Sequence, residues 1–397
     1  MADAVNKRRN IVYLGETGFP YGLAPIQRQL LLSRGMVESG AKVLVISTKG
    51  VFKPGKDFDL APSGTYQGID YIYTSGEVIR RPAFLRRNML KIKGLSQELF
   101  LLLQLRKKQK IDVAIVATMR FQSILYYYIV SRIFRFKVLL NYVECNSAIS
   151  TRTKTKDRIN DFLVDRFGIC CADAIMPISE FLKNHVRQIC KNKPQIKIPI
   201  VGDFQTSVNL SNAYSNYFLY CGSASYLELI DFIICSFELI KGPDVFLYLV
   251  VSGDKPDMDS FARRLKRSNA QDQIKIFSGI PYSELLEKYR NAKGLLIPLR
   301  NTIQDIARFP HKIGEYLASG VPIVTTKFGE ISHYFTDGKN AIISEKYDVR
   351  EYATKMQYVL DHPREAEEIG LRGKKMGKEL FDYRRQGSAL YDFIQKL

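Results

Sequence analysis

Two kinds of hydrophobic pattern alternate along the first half of the chain. Short runs of consecutive apolar residues predict buried strands, and they lie at 11–14, 42–47, 112–117, 137–143, 174–179 and 196–201. Longer segments with helical spacing of apolar residues lie between them, at 26–38, 89–110, 121–134, 156–171 and 180–190. Strands that are apolar on both faces and separated by helices predict a parallel sheet covered by helices.

The same alternation restarts after a polar stretch, 203–215, which is rich in Ser and Asn and reads as a linker. Strands are predicted at 217–222, 245–251, 274–277, 294–299 and 322–325, and helices at 227–240, 260–267, 283–291 and 312–319. The last fifty residues are mostly helical and charged. We therefore expect an α/β protein with two Rossmann-like, doubly wound domains, residues 1–203 and 204–380, facing one another across a cleft. A last helix, 381–397, is expected to pack back toward the N-terminal domain.

Charge separates the two halves. The chain of 397 residues carries a net charge of +19; residues 1–200 hold 33 basic and 15 acidic side chains, while residues 201–397 hold 26 and 25. The cationic half indicates a polyanionic partner such as an anionic membrane, a phosphorylated acceptor or nucleic acid. A merely solvated basic surface is the alternative.

Several classes are disfavoured. No run of about 18 uncharged apolar residues exists, and the polar N-terminus does not resemble a secretory signal. The six cysteines form no CxxC pair, so reduced thiols and a cytoplasmic location are expected. The four histidines show no spacing typical of a metal site, and no P-loop lysine motif is present.

The segment with most chemical content is 307–324, which reads as loop, helix, Gly stop and strand. Pro310 suits a helix N-terminus and Gly320 a C-terminal cap. Free amides at such a start, together with Arg308 and Lys312, favour a phosphate. Glu315 lies one turn further on and could accept hydrogen bonds from a ribose. A simple Lys–Glu surface pair at this spacing remains the alternative.

The stretch from Lys312 to Val324 resembles the donor-binding signature of the retaining GT-B glycosyltransferases of glycosyltransferase family 4, also called glycosyl transferases group 1. Residues 279–292 resemble the family's "Gly, short gap, helix ending in Ala" segment, and residues 173–182 its last strand–helix unit of the first domain. The resemblance covers most of the chain and is specific in the second half.

The resemblance assigns residues to a nucleotide-sugar site. Arg308, Lys312 and Glu315 are expected to act on the donor diphosphate and ribose. The remaining donor-side residues that it implies are Gly22, Gly222, Ser223, Ile280, Asp305, Ile306, Ala307 and His311.

This sequence departs from the family at two places. The first glutamate of the family's pair, which contacts the donor sugar, is replaced by Ala307, and Asp305 is the nearest substitute. The basic pair that follows the first strand of the second domain is absent, since no basic residue occurs between Gly222 and Lys241. Either donor specificity is altered, with Arg308 and Lys312 supplying the charge, or donor binding is lost.

The first domain carries the expected acceptor residues. The loop 15–25 resembles the family's glycine loop, whose glycines let the backbone approach the transferred sugar, and it contains Tyr21. Glu144 and Asn146 follow a predicted strand, where polar groups could orient an acceptor. A structural turn is the alternative for both segments.

Basic residues mix with apolar ones at 80–93 and continue to 108, which suits an anionic bilayer surface. Nucleic acid is not expected because no recognition motif appears. The resemblance implies a retaining, metal-independent hexosyltransferase that uses a UDP- or GDP-linked sugar as co-substrate and no further cofactor. Its acceptor would be a glycan or lipid-linked molecule in cell-surface polysaccharide or glycoconjugate synthesis, with the enzyme cytoplasmic and peripheral at the inner membrane face. A non-catalytic binding or scaffold protein, a basic nucleic-acid-binding protein and an epimerase of the same fold are the alternatives.

Overall fold

A computed structural model describes residues 8–22, 24–53, 59–205, 216–242 and 244–397. The chain divides into two compact units, residues 1–201 with 383–397, and residues 202–382. The boundaries expected from the sequence are 203/204 and 380/381. Most of the predicted linker, residues 206–215, lies outside the described residues.

The first unit is a seven-stranded sheet flanked by helices. Its elements, in chain order, are β1 (Asn10–Leu14), α1 (Ala24–Glu38), β2 (Lys42–Ser47), β3 (Ser63–Tyr66), β4 (Ile69–Tyr73), α2 (Phe84–Lys107), β5 (Val113–Val116), α3 (Phe121–Phe134), β6 (Lys137–Tyr142), α4 (Thr155–Arg166), β7 (Ala174–Pro177) and α5 (Glu180–Ile189). The strand order is β3-β4-β2-β1-β5-β6-β7, and only the β3–β4 pair is antiparallel. The order reverses between β1 and β5, so the carboxyl ends of these strands mark the crevice where ligands bind in such sheets.

The second unit repeats this architecture with six parallel strands. Its elements are β8 (Tyr217–Ser223), α6 (Leu227–Phe237), β9 (Phe246–Ser252), α7 (Lys255–Leu265), β10 (Ile274–Phe277), α8 (Tyr282–Arg290), β11 (Gly294–Ile297), α9 (Ile303–Ala307), α10 (Lys312–Ser319), β12 (Ile323–Thr326), α11 (Ile331–Tyr334), β13 (Ile342–Ser344), α12 (Val349–Asp361) and α13 (Pro363–Phe381). The order β10-β9-β8-β11-β12-β13 reverses between β8 and β11. The predicted fold class, two doubly wound parallel α/β domains, is confirmed.

The last helix, α14 (Tyr383–Gln395), belongs to the first unit. Leu390, Tyr391 and Ile394 are buried in the same core as Leu32 and Met36 of α1. The two helices cross closely, because a Cβ added to Gly387 would lie 2.5 Å from the backbone of Gly35.

The structure corrects three expectations. Most of the apolar run 196–201 is buried, but it forms no strand. An isolated bridge joins Gln195 to Ile175, and the amides of Ile196 and Ile198 donate to carbonyls of β7. Strands β3, β4 and β13 were not predicted. The thiols are not all reduced, because Cys170 at the end of a 3-10 turn after α4 is disulfide-bonded to Cys190 just after α5.

Among the described residues, no helix has both the length and the apolar character needed to cross a membrane.

Candidate functional site

The start of α10 lies at the carboxyl edge of the second sheet, because the helix leads into β12 and runs antiparallel to the strands. The pattern of apolar residues in α10 sets which face of the helix packs on the sheet. Ile313, Tyr316 and Leu317 are buried, so the opposite face presents Lys312 and Glu315. Gly320 ends the helix with φ 78°, a left-handed conformation that favours glycine.

Glu315 is half-buried and accepts a hydrogen bond from the hydroxyl of Tyr282, the first residue of α8, at 3.3 Å. Burial raises the pKa of its carboxyl group. The charge of Lys312 and the hydroxyl groups of Tyr282 and Tyr289 act in the opposite direction. The carboxylate is therefore held among donors, one helical turn from a lysine.

The end of β8 lies against the same helix. The backbone amide of Cys221 donates to the hydroxyl of Tyr316 at 3.2 Å. Burial raises the pKa of the Cys221 thiol, and the nearby Lys312 lowers it. Lys312 thus sits where β8 ends, at the point where the strand order reverses.

Arg308 does not project freely toward a ligand. Its guanidinium lies 2.6 Å from Asp305, donates to the hydroxyl of Tyr226 at 2.8 Å, and stacks over the Tyr226 ring. Asp305 is fully buried and also binds the guanidinium of Arg300 at 2.8 Å and its backbone amide at 2.9 Å. Two guanidinium groups therefore share one buried carboxylate, and Arg300 also pairs with the exposed Glu228 at 3.0 Å.

Arg300 and Tyr226 were not identified from the sequence. Arg300 follows β11 by three residues and Tyr226 follows β8 by three. These are the two strands at which the order reverses, so the rule that ligands bind beyond such strand ends could have found both. The expectation that Asp305 replaces the family's sugar-binding glutamate does not fit its burial, because both carboxylate oxygens are engaged by arginines.

The other donor-side residues surround this edge. Ala307 is fully buried at the end of α9, His311 is buried just before α10, and Ile306 and Ile280 are half-buried. Gly222 and Ser223 end β8, and the Ser223 hydroxyl lies 2.9 Å from that of Ser225. A Cβ on Gly222 would lie 2.0 Å from the Tyr220 hydroxyl oxygen, so a larger residue would displace that ring.

In the first unit, Tyr21 and Gly22 lie between β1 and α1. The Tyr21 side chain is half-exposed and packs edge-on against Tyr66 at 5.4 Å between ring centroids. The Gly22 carbonyl accepts from Gln27 Nε2 at 3.2 Å.

Glu144 and Asn146 follow β6 but differ in exposure. Asn146 is 2% exposed, and its backbone amide and side-chain Nδ2 both donate to Asp165 Oδ1, at 3.2 and 3.3 Å. It therefore organises its own loop, contrary to the expectation that its side chain faces an acceptor. Glu144 is half-buried in the same loop.

Comparison with known families agrees with this geometry. Residues 203–376, nearly the whole second unit, match the family model described as Glycosyl transferases group 1. This match contains every donor-side residue except Gly22.

Curated relatives are similar over shorter segments. A 2-deoxystreptamine N-acetyl-D-glucosaminyltransferase of Niallia circulans is 27% identical over 128 residues, 32% of either chain. A GDP-mannose-dependent alpha-(1-6)-phosphatidylinositol monomannoside mannosyltransferase of Mycolicibacterium smegmatis is 25% identical over 154 residues, 38% of this chain and 40% of that one. This chain thus matches only about a third to two fifths of these relatives' length.

Solved structures are similar over the full chain. A sucrose-phosphate synthase from Thermosynechococcus elongatus superposes with a TM-score of 0.74 at 16% identity, covering 98% of this chain and 99% of that one. The Anabaena protein HepE, solved in complex with UDP-glucose, gives 0.67 at 14% identity with the same coverage. Likeness at this level of identity establishes the shared fold, that of the GT-B glycosyltransferases.

Proposed function

We propose that this protein is a glycosyltransferase that moves a sugar from a UDP- or GDP-linked donor to a glycan or lipid-linked acceptor. One observation carries the proposal. The segment of the second unit that matches the glycosyltransferase family model places a lysine and a half-buried carboxylate at the start of α10, beyond the strands where the sheet order reverses.

Each donor-side group has a chemical role in the proposal. Glu315 accepts hydrogen bonds from the ribose hydroxyl groups with the oxygen that Tyr282 does not occupy. Lys312 and the positive end of the α10 helix dipole stabilise the diphosphate, while the amides of Ile313 and Gly314 already donate to the carbonyls of Pro310 and His311. Arg308, which is paired with Asp305, acts on the diphosphate through its field rather than by direct contact.

The chemistry needs little more than this. The leaving diphosphate itself can take the proton of the acceptor hydroxyl as the new glycosidic bond forms. Positioning and stabilisation of the leaving charge then account for most of the rate enhancement. Retention at the anomeric carbon and independence from a metal ion are part of the proposal, on the strength of the family resemblance.

The first unit would bind the acceptor, with Tyr21, Gly22 and Glu144 near the ends of β1 and β6. Membrane attachment through its basic surface is also proposed. Phe84, Leu85, Met89 and Ile92 on α2 are each about two thirds exposed or more, next to Arg86 and Arg87. Exposed apolar side chains flanked by arginines suit an anionic bilayer, and we place the enzyme at the cytoplasmic face of a membrane.

Replacement of Glu315 tests the donor site. Because a ligand that binds only the folded state raises the melting temperature, UDP or GDP and their sugars should stabilise the full chain. Glu315→Gln should abolish most of this shift, whereas Glu379→Gln, an exposed change on α13, should preserve it. An unchanged shift in Glu315→Gln would contradict the ribose assignment.

Transfer itself needs a separate measurement. Ala307 and the engaged Arg308 favour one other candidate, a protein that binds a nucleotide sugar without transferring it. Release of UDP or GDP from a donor that shifts the melting temperature, accelerated by a glycan acceptor, distinguishes the enzyme from this binding protein. Binding without release would support the non-catalytic candidate.

A further inference from the structure

The first unit contains a cavity of about 310 Å³ whose walls are mainly cationic. This volume falls at the small end of ligand-binding cavities. Six basic side chains line it: Lys49, Arg80, Arg81, Arg87, Lys91 and Arg120. None of them belongs to the donor-side residues described above.

These side chains come from four separate segments. Lys49 follows β2, and Arg120 lies between β5 and α3. Arg80 and Arg81 follow β4, and Arg87 and Lys91 lie in the first two turns of α2. Residues that directly follow parallel strands meet at the carboxyl edge of the sheet, the edge where ligands bind in this architecture.

The backbone around the cavity is held in place. The amide of Val51 donates to the carbonyl of Val78 at 2.9 Å, and the amide of Arg80 donates to that of Phe52 at 2.9 Å. These bonds fix Lys49 and Arg80 on adjoining walls without using their side chains.

Helix α2 is equally fixed against the cavity. A Cβ on Gly94 would lie 1.9 Å from the carbonyl oxygen of Thr48, so only glycine allows the helix to approach the residue before Lys49. The Thr74 hydroxyl donates to the Gly94 carbonyl at 2.8 Å. The cations of α2 are thus positioned before any ligand binds.

Charge in the cavity is only partly compensated. Arg81 pairs with Glu77 at 2.5 Å, and Glu77 also pairs with Arg86 at 3.2 Å. Within the described part of the chain, no carboxylate lies within 4.0 Å of the charged groups of Lys49, Arg80 or Arg120.

Burial and the neighbouring cations lower the pKa of Lys49. Burial lowers it, and the positive charges of Arg120, Lys91 and Arg80 lower it further, while Glu16 opposes them. Like charges held together at a rigid, concave surface strengthen the local positive field and favour a multivalent anion.

We propose that this cavity binds the phosphate or diphosphate group of the acceptor. The identification of the ligand as the acceptor rests on the proposed glycosyltransferase function. Phosphate oxygens accept hydrogen bonds in the planar geometry that guanidinium groups offer, and three or four arginines around one cavity match a diphosphate. The acceptor would be a sugar phosphate or a lipid-linked diphosphate, which present the same group.

Calorimetric titration of the full chain with inorganic pyrophosphate tests the cavity. Arg80→Gln/Arg120→Gln removes two cations that have no carboxylate partner, so the fold should survive. We expect this variant to bind pyrophosphate at least tenfold more weakly than the parent. Lys156→Gln/Arg158→Gln removes two exposed cations from α4 and should stay within twofold of the parent. Equal losses in both variants, or no binding by the parent, would overturn the proposal.

The source of the phosphate is tested with two probes. One is a soluble hexose phosphate, and the other is a vesicle of zwitterionic lipid containing a polyprenyl diphosphate. If Arg80→Gln/Arg120→Gln binds either probe more weakly than the parent does, the result supports the proposed phosphate site, and the probe identifies the acceptor class. If the variant and the parent bind both probes equally well, the result overturns the proposal.

The nucleotide-induced thermal shift separates this proposal from the proposed function. The donor groups lie in the second unit, so the Arg80→Gln/Arg120→Gln variant should keep the full shift with UDP or GDP. Loss of pyrophosphate binding with the shift intact supports the cavity as a separate site. Loss of both together would overturn it.

Discussion

Asp305 is a single carboxylate that compensates two guanidinium groups. It is fully buried, while the side chains of Arg300 and Arg308 are about 15% exposed. Glu228, the second partner of Arg300, is largely exposed and contributes little. The integrity of this edge of the second sheet therefore depends on Asp305.

Asp305→Asn should destabilise the second unit. The change removes the buried negative charge that two partly buried cations share, and breaking such a network costs about 3–5 kcal/mol. Urea unfolding followed by circular dichroism measures the loss. Asp272→Asn, an exposed aspartate in the same unit, should change the unfolding free energy by less than about 0.5 kcal/mol. A loss of that small size in Asp305→Asn would show that the arginines have other adequate partners.

At this scale, the residue types at the site could be predicted from the sequence better than the contacts that their side chains make. Lys312 and Glu315 could be placed on one helix face because their spacing follows from helical geometry. The spacing of Asp305 and Arg308 is equally local, but the contact of Arg308 with Tyr226 depends on how β8 and α9 pack, and no local pattern encodes it. Asn146 was misjudged for the same reason, since its partner Asp165 lies on another element.

Helix α2 shows how an element with few buried residues is held in place. Only Gly94, Glu98 and Leu102 are buried along its 24 residues. Glu98 is fully buried and accepts hydrogen bonds from the Tyr127 hydroxyl on α3, at 3.1 and 3.3 Å. A carboxyl group thus forms the polar contact between α2 and α3.

The α2–α3 contact should make the first unit less stable as the pH rises. Burial raises the pKa of Glu98 from 4.5 to about 8. Between these values the unfolded chain releases the proton while the folded chain retains it, so stability falls as pH increases from about 5 to 8. Glu98→Gln should remove this dependence and increase the free energy of unfolding at pH 8 by about 4 kcal/mol at most, which raises the melting temperature.

Thermal unfolding of both proteins at pH 5 and pH 8 measures the effect. At pH 5 the glutamine variant should resemble the parent, because the parent carboxyl is then protonated in the folded state. Glu379→Gln controls for loss of an exposed glutamate. A difference between Glu98→Gln and the parent that is the same at both pH values would contradict an abnormal titration of Glu98.

Elements with continuous apolar runs were predicted more accurately than elements without them. Central strands such as β1, β2 and β11 are continuous apolar runs, so their positions were predicted to within a few residues. Strand β3, with sequence SGTY, is exposed at the sheet edge and has no such run. Residues 196–201 carry the opposite error, because most of their apolar side chains are buried and their amides bond to β7, yet the pairing is limited to an isolated bridge and no strand forms.

At the scale of the whole molecule, the net positive charge is concentrated in the first half of the chain. The excess of +18 in residues 1–200 was visible in the sequence, but its concentration in a cavity was not. That arrangement depends on four segments meeting at one sheet edge. Composition therefore indicated a polyanionic partner, and only the fold supplied a specific place for one.

Membrane attachment should depend on charge and on α2 together. The full chain should co-sediment with vesicles rich in phosphatidylglycerol much more than with zwitterionic vesicles, and binding should fall as salt is raised from 50 to 500 mM. Leu85→Ser should reduce the partition coefficient about tenfold, since burial of a leucine side chain contributes about 1.5–3 kcal/mol. Leu239→Ser, at an exposed leucine of the second unit, should have no effect. Equal binding to both lipids would contradict the proposed surface.

The placement of α14 affects how the chain is made. Residues 383–397 complete the core of the first unit, yet a ribosome synthesises them after the whole second unit. The nascent first unit therefore leaves the surface of α1 around Leu32 and Met36 uncovered until residues 383–397 have been synthesised.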